Sequence, residues 1–331
     1  MNRFTYASVA DTNAAFAELD EHDTPRYIAG GTNLLDLMKV NVEKPDHLID
    51  ITHLAFNKIE DTPDGGLRLG ALVTNADTAW NEQVEKRYPL LSKAILAGAS
   101  AQLRNMATNG GNMLQRTRCY YFYDTATPCN KREPGSGCSA INGYNRIHAI
   151  LGASEDCIAT HPSDMAVALA ALNAMVNVTG KDGDRSIPFA DFHRLPGDRP
   201  DLDNTLSAGE IITSIDVPPN GFANHFEYLK VRDRASYAFA LVSVAVGLEM
   251  DGNIIKEARI ALGGVAHKPW RNTEAEGLLT GQVALTENFK KVADAIIQDA
   301  KGYGDNTFKI ELAKRAIVRA LSTAAGLEVQ A

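Results

Sequence analysis

The chain of 331 residues is 45% hydrophobic and 22% charged, which is ordinary for a folded globular protein and leaves room for two or three domains. Its net charge of −8 argues against nucleic acid as a partner, because phosphate backbones are bound mainly through an excess of Lys and Arg. The sequence has no apolar stretch of membrane-spanning length and no apolar run of signal-peptide length at its N-terminus. We therefore expect a protein with no export signal of its own, although a partner could still carry it.

A glycine pair lies where the first predicted β-α-β unit turns from strand to helix. Residues 26–34 read RYIAGGTNL, and the next strand follows at 47–51. Gly30 and Gly31 would let the backbone approach a ligand because no Cβ stands in the way. The amide groups at the start of the following helix would then face an anion. The segment is neither a G-x-G-x-x-G fingerprint nor a P-loop, and a simple turn with a helix cap is the alternative reading.

A second glycine pair occurs in residues 108–112, TNGGN, about eighty residues after the first. It follows a strand predicted at 65–72 and helices predicted from Thr74 and over 89–99. Each pair is accompanied by Thr and Asn. This repetition favours one shared ligand, because two groups of backbone amides could hold a pyrophosphate from both sides.

All four cysteines follow within a short segment, with the spacing C-x9-C-x8-C-x18-C at Cys119, Cys129, Cys138 and Cys157. Residues 115–157 are rich in polar residues, Gly and Pro, which predicts an inserted loop. A loop of this length without regular structure needs a stabilising feature, such as bonds from its cysteines to a metal. The short knuckle of zinc fingers and the compact run of bacterial ferredoxins are both absent. The spacing leaves an iron–sulfur cluster, a zinc site, and disulfides or free thiols open. His148 and His161 lie near in sequence, but a lone His is more often a hydrogen-bonding residue.

The remaining chain predicts an α+β arrangement, with a helix after Asp164 and a proline-rich linker at 218–221. A C-terminal unit of three strands followed by two helices comes next. The predicted strands are 174–178, 210–217, 226–230, 241–250 and 254–262, and the predicted helices are 287–299 and 307–325.

Three motifs resemble the FAD-binding subunit of molybdenum hydroxylases, the xanthine dehydrogenase and carbon monoxide dehydrogenase group. They are AGGTNLL at 29–35, TNGGN at 108–112 and HPSD at 161–164 ahead of an Ala/Leu helix. The resemblance covers essentially the whole chain. The departures in the glycine motifs are small: Asn33 replaces a frequent Asp, and Asn109 replaces a frequent apolar residue.

The resemblance implies an α+β fold with two α/β FAD-binding subdomains of the vanillyl-alcohol-oxidase (PCMH) type. These would be residues 1–55 and 56–217, followed by a carbon monoxide dehydrogenase flavoprotein-like domain of antiparallel strands and helices at 222–331. Residues 26–34 and 108–112 would hold the pyrophosphate and ribityl parts of FAD, Asp164 would contact FAD, Lys230 would lie near the flavin, and Ile212 would pack on its ring. Asp164 as a helix cap and Ile212 as a core residue are the plain alternatives. The implied cofactor-binding residues are Arg26, Tyr27, Ile28, Ala29, Gly30, Gly31, Thr32, Asn33, Leu34, Thr108, Asn109, Gly110, Gly111, Asn112, Asp164, Ile212 and Lys230.

The cysteine segment, inserted at 115–160, is the large departure from most of the family. It resembles the inserted loop of hydroxybenzoyl-coenzyme A reductase and, most closely, of the flavin subunit of the bacterial periplasmic aldehyde oxidoreductase, where the loop carries a 4Fe–4S cluster. The resemblance therefore implies that Cys119, Cys129, Cys138 and Cys157 ligate such a cluster. Its neighbours Arg118, Lys131 and Arg132 would suit docking of an electron-transfer protein.

The function implied is electron transfer in a heterotrimeric, molybdenum-dependent aldehyde oxidoreductase. Electrons would come from a large molybdenum-cofactor subunit and a small 2Fe–2S subunit, and pass through FAD to an external acceptor. No general base and no nucleophile is nominated in this chain, since hydroxylation would occur in the partner. The alternatives are a xanthine dehydrogenase or hydroxybenzoyl-coenzyme A reductase subunit, a stand-alone flavin oxidoreductase, and a zinc-stabilised binding module. Location would be the periplasm by co-export with a partner, and otherwise the cytoplasm.

Overall fold

Three β-sheets follow one another along the chain, each with its own helices. The computed structural model describes residues 1–328. The last three residues of the predicted domain 222–331 lie outside that range. No helix in the described range is both long and apolar enough to cross a bilayer.

The N-terminal unit is a three-stranded parallel sheet of order β1-β3-β2. Asp11 caps its first helix by accepting a hydrogen bond from the amide of Ala14 at 2.9 Å. The second strand is an edge strand and ends directly before Gly30, which places the first glycine motif at the carboxyl end of the sheet. The elements are β1 (Thr5–Ser8), α1 (Thr12–Asp20), β2 (Arg26–Ile28), α2 (Leu34–Lys39) and β3 (His47–Asp50).

The middle unit is an antiparallel sheet of order β4-β5-β8-β6-β7, with helices inserted between its second and third strands in sequence. Its first strand is absent from the predictions, because three residues with one apolar side chain give too little alternation. The elements are β4 (Ile59–Asp61), β5 (Leu67–Gly70), α3 (Asn75–Ala79), α4 (Glu82–Arg87), α5 (Pro89–Ala97), α6 (Ala101–Arg104), α7 (Asn109–Met113), α8 (Tyr120–Tyr123), α9 (Asp164–Ala171), β6 (Met175–Gly180), β7 (Gly183–Pro188), α10 (Phe189–Phe192) and β8 (Ile211–Val217).

The C-terminal unit is an antiparallel sheet of order β12-β11-β10-β9 followed by helices. The three predicted strands and two predicted helices are confirmed, and the structure adds a two-residue strand and a short helix. The elements are β9 (Phe226–Val231), β10 (Val242–Asp251), β11 (Ile254–Gly263), β12 (Trp270–Arg271), α11 (Thr273–Gly277), α12 (Thr286–Ile297) and α13 (Phe308–Ala324).

Strand β10 is buried on both faces and joins the cores of the two larger units. Val244 and Val246 point towards α12 and α13, whereas Ala245 between them belongs to the core formed with α5 and α9. Successive side chains of a strand alternate between faces, so one apolar strand supplies both cores. Helix α9 is therefore covered on several sides and is buried from Met165 onwards. This packing fixes the start of α9 against the C-terminal sheet.

Candidate functional site

Two large cavities meet at the first glycine motif. Their volumes are about 770 and 560 Å³, and Thr32, Asn33 and Gly111 line both of them. The larger one reaches Asp164 and Lys230, and the smaller one reaches Ile212. Together they form a continuous site, called here the flavin cleft. Residues from all three units line it.

The first glycine motif presents unpaired donors to the flavin cleft. Within residues 1–328, the backbone amides of residues 30–33 donate to no protein acceptor. The side-chain Nδ2 of Asn33 is also buried without a partner, whereas its Oδ1 accepts from the amide of Arg116 at 2.9 Å. A buried donor is normally paired, so Asn33 Nδ2 is arranged for an acceptor from outside the chain, and the free amides beside it line the same cavity. Phosphate oxygens are suitable acceptors for such an amide nest.

The second glycine motif differs, because its amides are used inside the protein. A second nest of free amides, as the sequence led us to expect, does not form. The motif is instead a single helical turn, α7, packed on β5 and β8. Its amide bonds are Asn109 to Val73 O (3.0 Å), Gly110 to Ala71 O (2.8 Å), Gly111 to Thr108 Oγ1 (3.2 Å) and Asn112 to Thr108 O (2.8 Å).

The two glycine motifs touch each other. A Cβ on Gly30 would lie 1.8 Å from the carbonyl oxygen of Met106, so only glycine lets the two segments pack this closely. Gly31 has a φ of +68°, which also favours glycine. By contrast, a Cβ on Gly111 would meet only Thr108 Oγ1, at 3.0 Å, because that side faces the cleft. The glycines therefore serve two different purposes, contact between segments and access for a ligand.

A buried ion pair closes one end of the flavin cleft. Asp164 Oδ2 lies 2.7 Å from Lys230 Nζ, and Asp164 Oδ1 accepts from the Tyr228 hydroxyl at 2.6 Å. Burial and the adjacent carboxylate raise the pKa of Tyr228 well above its usual range, so the phenol keeps its proton. The helix cap is Ser163, whose Oγ accepts from the Ala166 amide at 3.0 Å, so Asp164 is free of that role.

Most of the implied FAD residues line the flavin cleft, and the exception is Asn109. Its side chain is fully buried and bonds to Asn75, Thr78 and the Gly70 carbonyl, so it holds α7 in place rather than facing the cavity. Ile212 is both a core residue and a wall of the smaller cavity. The implied residues that line the cavities are 26–34, 108, 110–112, 164, 212 and 230.

Several residues on the cavity walls were missed from the sequence. Asn75 lines the larger cavity and accepts from Asn112 Nδ2 at 2.6 Å. A signal for it existed, because Thr74-Asn75 repeats the Thr-Asn pair of both glycine motifs. The aromatic residues Tyr120, Tyr237 and Phe239 also line this cavity. Their position depends on long-range packing, which local sequence patterns do not predict.

The four cysteines come together around one small cavity, whose lining includes all four residues. None is in a disulfide; Cys138 is partly exposed, and the other three are buried. Hydrogen bonding between Cys138 and Cys157 lowers the pKa of Cys138 to about 6. In residues 1–328, no three of the sulfurs lie within 4.8 Å of one another. The four thiols thus line one common cavity, and no three of their sulfur atoms form a close group.

The cysteine segment has a buried core and is anchored to the rest of the protein, although parts of it, such as Glu155, are exposed. Phe122, Ile158 and the cysteines form a small core of their own. The C-terminal unit ties the segment down through hydrogen bonds from His161 N to Ala266 O (3.0 Å), Ile150 N to Val265 O (2.9 Å), Asn306 Nδ2 to Ala149 O (2.9 Å) and Lys309 Nζ to His148 O (2.8 Å).

Of the three basic residues expected to form a docking surface, Lys131 and Arg132 are bonded inside the protein, which corrects the expectation for them, whereas Arg118 donates to the Tyr123 hydroxyl and lines the larger cavity. Lys131 is 2% exposed, and its ammonium lies 2.6 Å from Asp203 Oδ1. Arg116 binds the other oxygen of Asp203 at 2.7 Å and also Glu43 at 2.8 Å. Burial opposes ionisation of Asp203, but Lys131 and Arg116 outweigh it and hold the pKa of Asp203 well below its usual range. Arg132 donates to the carbonyls of Tyr121 and Phe122.

A single residue separates the two sites. Cys119 lines the sulfur cavity, whereas its neighbours Arg118 and Tyr120 line the larger cavity of the flavin cleft. The guanidinium of Arg118 lies 5.0 Å from the ring centre of Phe239, on the far wall of that cavity. On the sulfur side, His148 Nε2 is 3.0 Å from Cys119 Sγ. The backbone at Cys119 is therefore the common wall of both sites.

Comparisons with known proteins agree with this geometry. Residues 2–220 match the family described as the FAD binding domain in molybdopterin dehydrogenase, and residues 227–324 match the CO dehydrogenase flavoprotein C-terminal domain. The chain is 51% identical to the aldehyde oxidoreductase FAD-binding subunit PaoB of Escherichia coli, covering 98% of this chain and 99% of that one. It is 28% identical to the glyceraldehyde dehydrogenase medium chain of Sulfolobus acidocaldarius, covering 98% of each.

Solved structures give the same answer for the fold. The carbon monoxide dehydrogenase of Hydrogenophaga pseudoflava contains a chain that aligns with a TM-score of 0.76 at 25% identity, covering 98% of each chain. The cavities, the free amides and the unpaired Asn33 Nδ2 fit a flavin dinucleotide. The chain belongs to the family of FAD-binding subunits of molybdenum hydroxylases and is an oxidoreductase subunit.

Proposed function

We propose that this chain carries electrons in a heterotrimeric, molybdenum-dependent aldehyde oxidoreductase, holding FAD in the flavin cleft and a 4Fe–4S cluster on its four cysteines. The single observation that carries the proposal is the common wall at Cys119. It brings a four-thiol site and a dinucleotide cleft within one residue of each other. Such proximity favours electron transfer between the two sites over two unrelated functions.

Bound FAD supplies the exchange of one or two electrons, and the chain's part is placement and electrostatics. The amides of residues 30–33 and Asn33 Nδ2 would bind the pyrophosphate. Ile212 offers an aliphatic surface at the other cavity. Lys230 provides a positive charge near the flavin, and Asp164 orients it through the 2.7 Å ion pair. Since the part proposed for this chain is to hold and orient a cofactor, the proposal assigns no general base to it.

The arrangement of the thiols argues against a preformed tetrahedral zinc site. A tetrahedral zinc site with Zn–S bonds of ~2.3 Å brings its sulfurs to ~3.8 Å from one another. No such group of three cysteine sulfurs exists within residues 1–328, even at 4.8 Å. A cubane cluster needs wider spacing between all four sulfurs because each thiolate binds a different iron atom, so Cys138 and Cys157, which hydrogen-bond to each other, would move apart on binding it. Burial in an apolar pocket around Phe122 and Ile158 also suits a cluster that must be kept from solvent.

The aldehyde substrate and the partners are inferred from the relatives. The FAD-binding relative with 51% identity is named for aldehyde oxidation, whereas other relatives are medium chains of carbon monoxide and nicotine enzymes. Related medium subunits thus belong to enzymes named for different substrates, which supports the proposal that a large molybdenum subunit chooses the substrate. A small 2Fe–2S subunit would deliver the electrons, and an external acceptor would take them. Co-export with a partner would place the complex in the periplasm.

Replacing one thiol tests whether the cysteine site matters to electron flow. Cys138→Ser should lower aldehyde turnover with an external acceptor in the purified complex, because one ligand of the cluster is lost. Glu155→Gln, at an almost fully exposed site in the same segment, is the matched control and should turn over as wild type does. Full assembly and full turnover of Cys138→Ser would show that the cluster is neither an electron path nor a structural element.

Spectra and metal analysis separate the rival functions. A zinc-stabilised binding module would show no flavin absorbance and would contain zinc without iron. A stand-alone flavin oxidoreductase would turn over when the chain is produced without partner subunits. The proposal expects flavin absorbance together with iron, and turnover only in the complex.

A further inference from the structure

A second cluster of ligand-bearing side chains lies in the N-terminal unit, at the end of α1. Glu18 is in the last turn of that helix, His22 follows four residues later, and His47 opens β3. Their ligand atoms all lie within 4.8 Å of one another. Glu18 Oε2 is 3.2 Å from His47 Nε2 and 3.9 Å from His22 Nε2, and the two imidazole rings stack with centres 3.8 Å apart.

The hydrogen bonds of His47 determine which nitrogen faces the cluster. His47 is 3% exposed, and its Nδ1 lies 2.7 Å from Thr5 Oγ1. The Thr5 hydroxyl is in turn within 3.4 Å of the Asp46 carbonyl, which can only accept. A cation at Nε2 selects the tautomer in which Nδ1–H donates to Thr5 and Thr5 donates to Asp46, and both of these contacts are already in place. A ligating histidine is typically held in this way through its other nitrogen.

His47 Nε2 is buried and has no hydrogen-bond partner, although the Glu18 carboxylate is close. The 3.2 Å contact fails as a hydrogen bond because the oxygen lies off the direction of the ring nitrogen. A cation bound at ~2.0–2.1 Å from nitrogen and ~2.0–2.2 Å from oxygen, at a tetrahedral angle, separates those two atoms by ~3.3–3.5 Å, about 0.1 Å or more beyond the 3.2 Å contact. The observed separation is thus close to the one that a shared metal ion would produce.

We propose that Glu18, His22 and His47 bind one divalent cation of the zinc class, with the fourth position left to water. Two imidazoles and one carboxylate form a nitrogen and oxygen set that suits zinc rather than magnesium or calcium. His22 is the adaptable ligand, since it lies beyond the helix end and is partly exposed. On binding it leaves the ring stack and moves roughly half an ångström closer to Glu18.

The site would fasten the segment that leads into the first glycine motif. Residues 21–25 connect α1 to β2, and the amides of Asp23 and Thr24 already bind the Asp46 carboxylate at 3.0 and 3.1 Å. A metal between α1 and β3 would hold this connection from its other side. None of its three ligands lines the flavin cleft or the sulfur cavity of the described chain. The predicted role is therefore structural and independent of the electron path.

Zinc titration of the purified complex tests the proposal. After treatment with EDTA and removal of the chelator, wild type should bind one zinc ion that Glu18→Gln and His22→Gln lose or bind at least about 10-fold more weakly. His53→Gln, an exposed histidine outside the cluster, is the matched control and should bind as wild type does. His22 and Glu18 carry the test, because His47→Asn could also disturb folding.

X-ray absorption at the zinc edge identifies the ligands directly. The proposal expects a shell of nitrogen and oxygen at ~2.0–2.1 Å and no sulfur shell at ~2.3 Å. Equal zinc affinity in wild type, Glu18→Gln and His22→Gln would overturn it. So would a sulfur-dominated shell that disappears in Cys138→Ser, since the zinc would then be on the cysteine segment.

Discussion

The flavin cleft and the cysteine segment are neighbours, but they are built in opposite ways. The cleft is assembled from elements far apart in the chain, between residues 26 and 239, and some of its walls, such as Ile212, belong to the packed core. The four cysteines come from one stretch of 39 residues, Cys119 to Cys157, whose regular structure is a single helical turn. The cleft therefore depends on the packing of the whole fold, whereas the cysteine segment depends on its own small core and on its bonds to the C-terminal unit.

This difference implies that damage to one site should leave the other largely intact. Substitutions in the cleft should reduce flavin while iron stays, because the cysteine segment has its own core and its own ties to the C-terminal unit. The four substitutions below probe the cleft and its surroundings, beginning with the largest expected effect.

Gly30→Ala should be the most damaging change in the cleft. Its Cβ would overlap the carbonyl of Met106, a backbone atom that cannot move away without shifting the second glycine motif. We expect a loss of about 3 kcal/mol or more in the free energy of unfolding, together with loss of flavin. Chemical denaturation and flavin quantification measure both. Gly277→Ala, where an added Cβ meets nothing within 4 Å, is the control and should be nearly neutral.

Asp164→Asn breaks the buried ion pair at the end of the cleft. It leaves the charge of Lys230 unbalanced in a site where both side chains are at most 9% exposed. Removing one partner of a buried pair costs about 3 kcal/mol, and flavin affinity should fall as Lys230 loses its orientation. Glu227→Gln disrupts a more exposed pair with Lys93 and should cost about 1 kcal/mol or less. Equal effects of the two variants would contradict the assignment of Asp164.

Acid should weaken the region between the two sites through His193. Burial lowers the pKa of His193 to about 4, and its Nε2 donates to the Met113 carbonyl at 2.9 Å. The unfolded chain takes up this proton at a pH near 6.5, so stability is full above that value and declines as the pH falls towards 4. Between pH 7 and pH 5 the loss from this group is about 2 kcal/mol.

His193→Gln removes the titrating group while keeping a donor for Met113. Denaturant unfolding at pH 7 and pH 5 should show a smaller difference in this variant than in wild type. An unchanged pH dependence would mean that other buried groups, such as His161 and His267, account for the acid sensitivity.

Ile212→Val should have the smallest effect, and it separates the two roles of that residue. Removing one methylene from a buried site costs about 1 kcal/mol of unfolding free energy. Ile215→Val, fully buried on the same strand but away from the cavities, should cost a similar amount. Only Ile212→Val should also weaken flavin binding. If both variants bind flavin as wild type does, Ile212 is a core residue alone.

Local patterns predicted the elements and most of the cleft because the information lies in short stretches. Gly30, Gly31 and Asn33 follow a strand end and precede a helix, and their free donors are a property of that turn. The packing of Gly30 on Met106 could not be predicted from local patterns, because it joins segments 76 residues apart in the sequence. Asn109 lies in the motif, yet it points into the core, which only the fold decides.

The cysteine segment shows the limits of sequence pattern more clearly. Its polar composition predicted an exposed loop with basic residues available for a partner. Lys131 and Arg116 are instead neutralised by Asp203, which lies 72 and 87 residues away in the sequence. Composition reports how polar a segment is, but it does not report whether the polar groups meet water or one another. The grouping of the four cysteines was predicted because all of them lie in one stretch.

Quantifying iron, acid-labile sulfide and flavin per chain tests the central claim, that one chain holds a flavin and an iron–sulfur cluster on either side of Cys119. The measurement compares the wild-type complex with Cys138→Ser, so that clusters in other subunits cancel. We predict about four fewer iron atoms in the variant if the cluster is lost completely, with flavin content unchanged. Equal iron in both complexes, or zinc in place of the missing iron, would contradict the account.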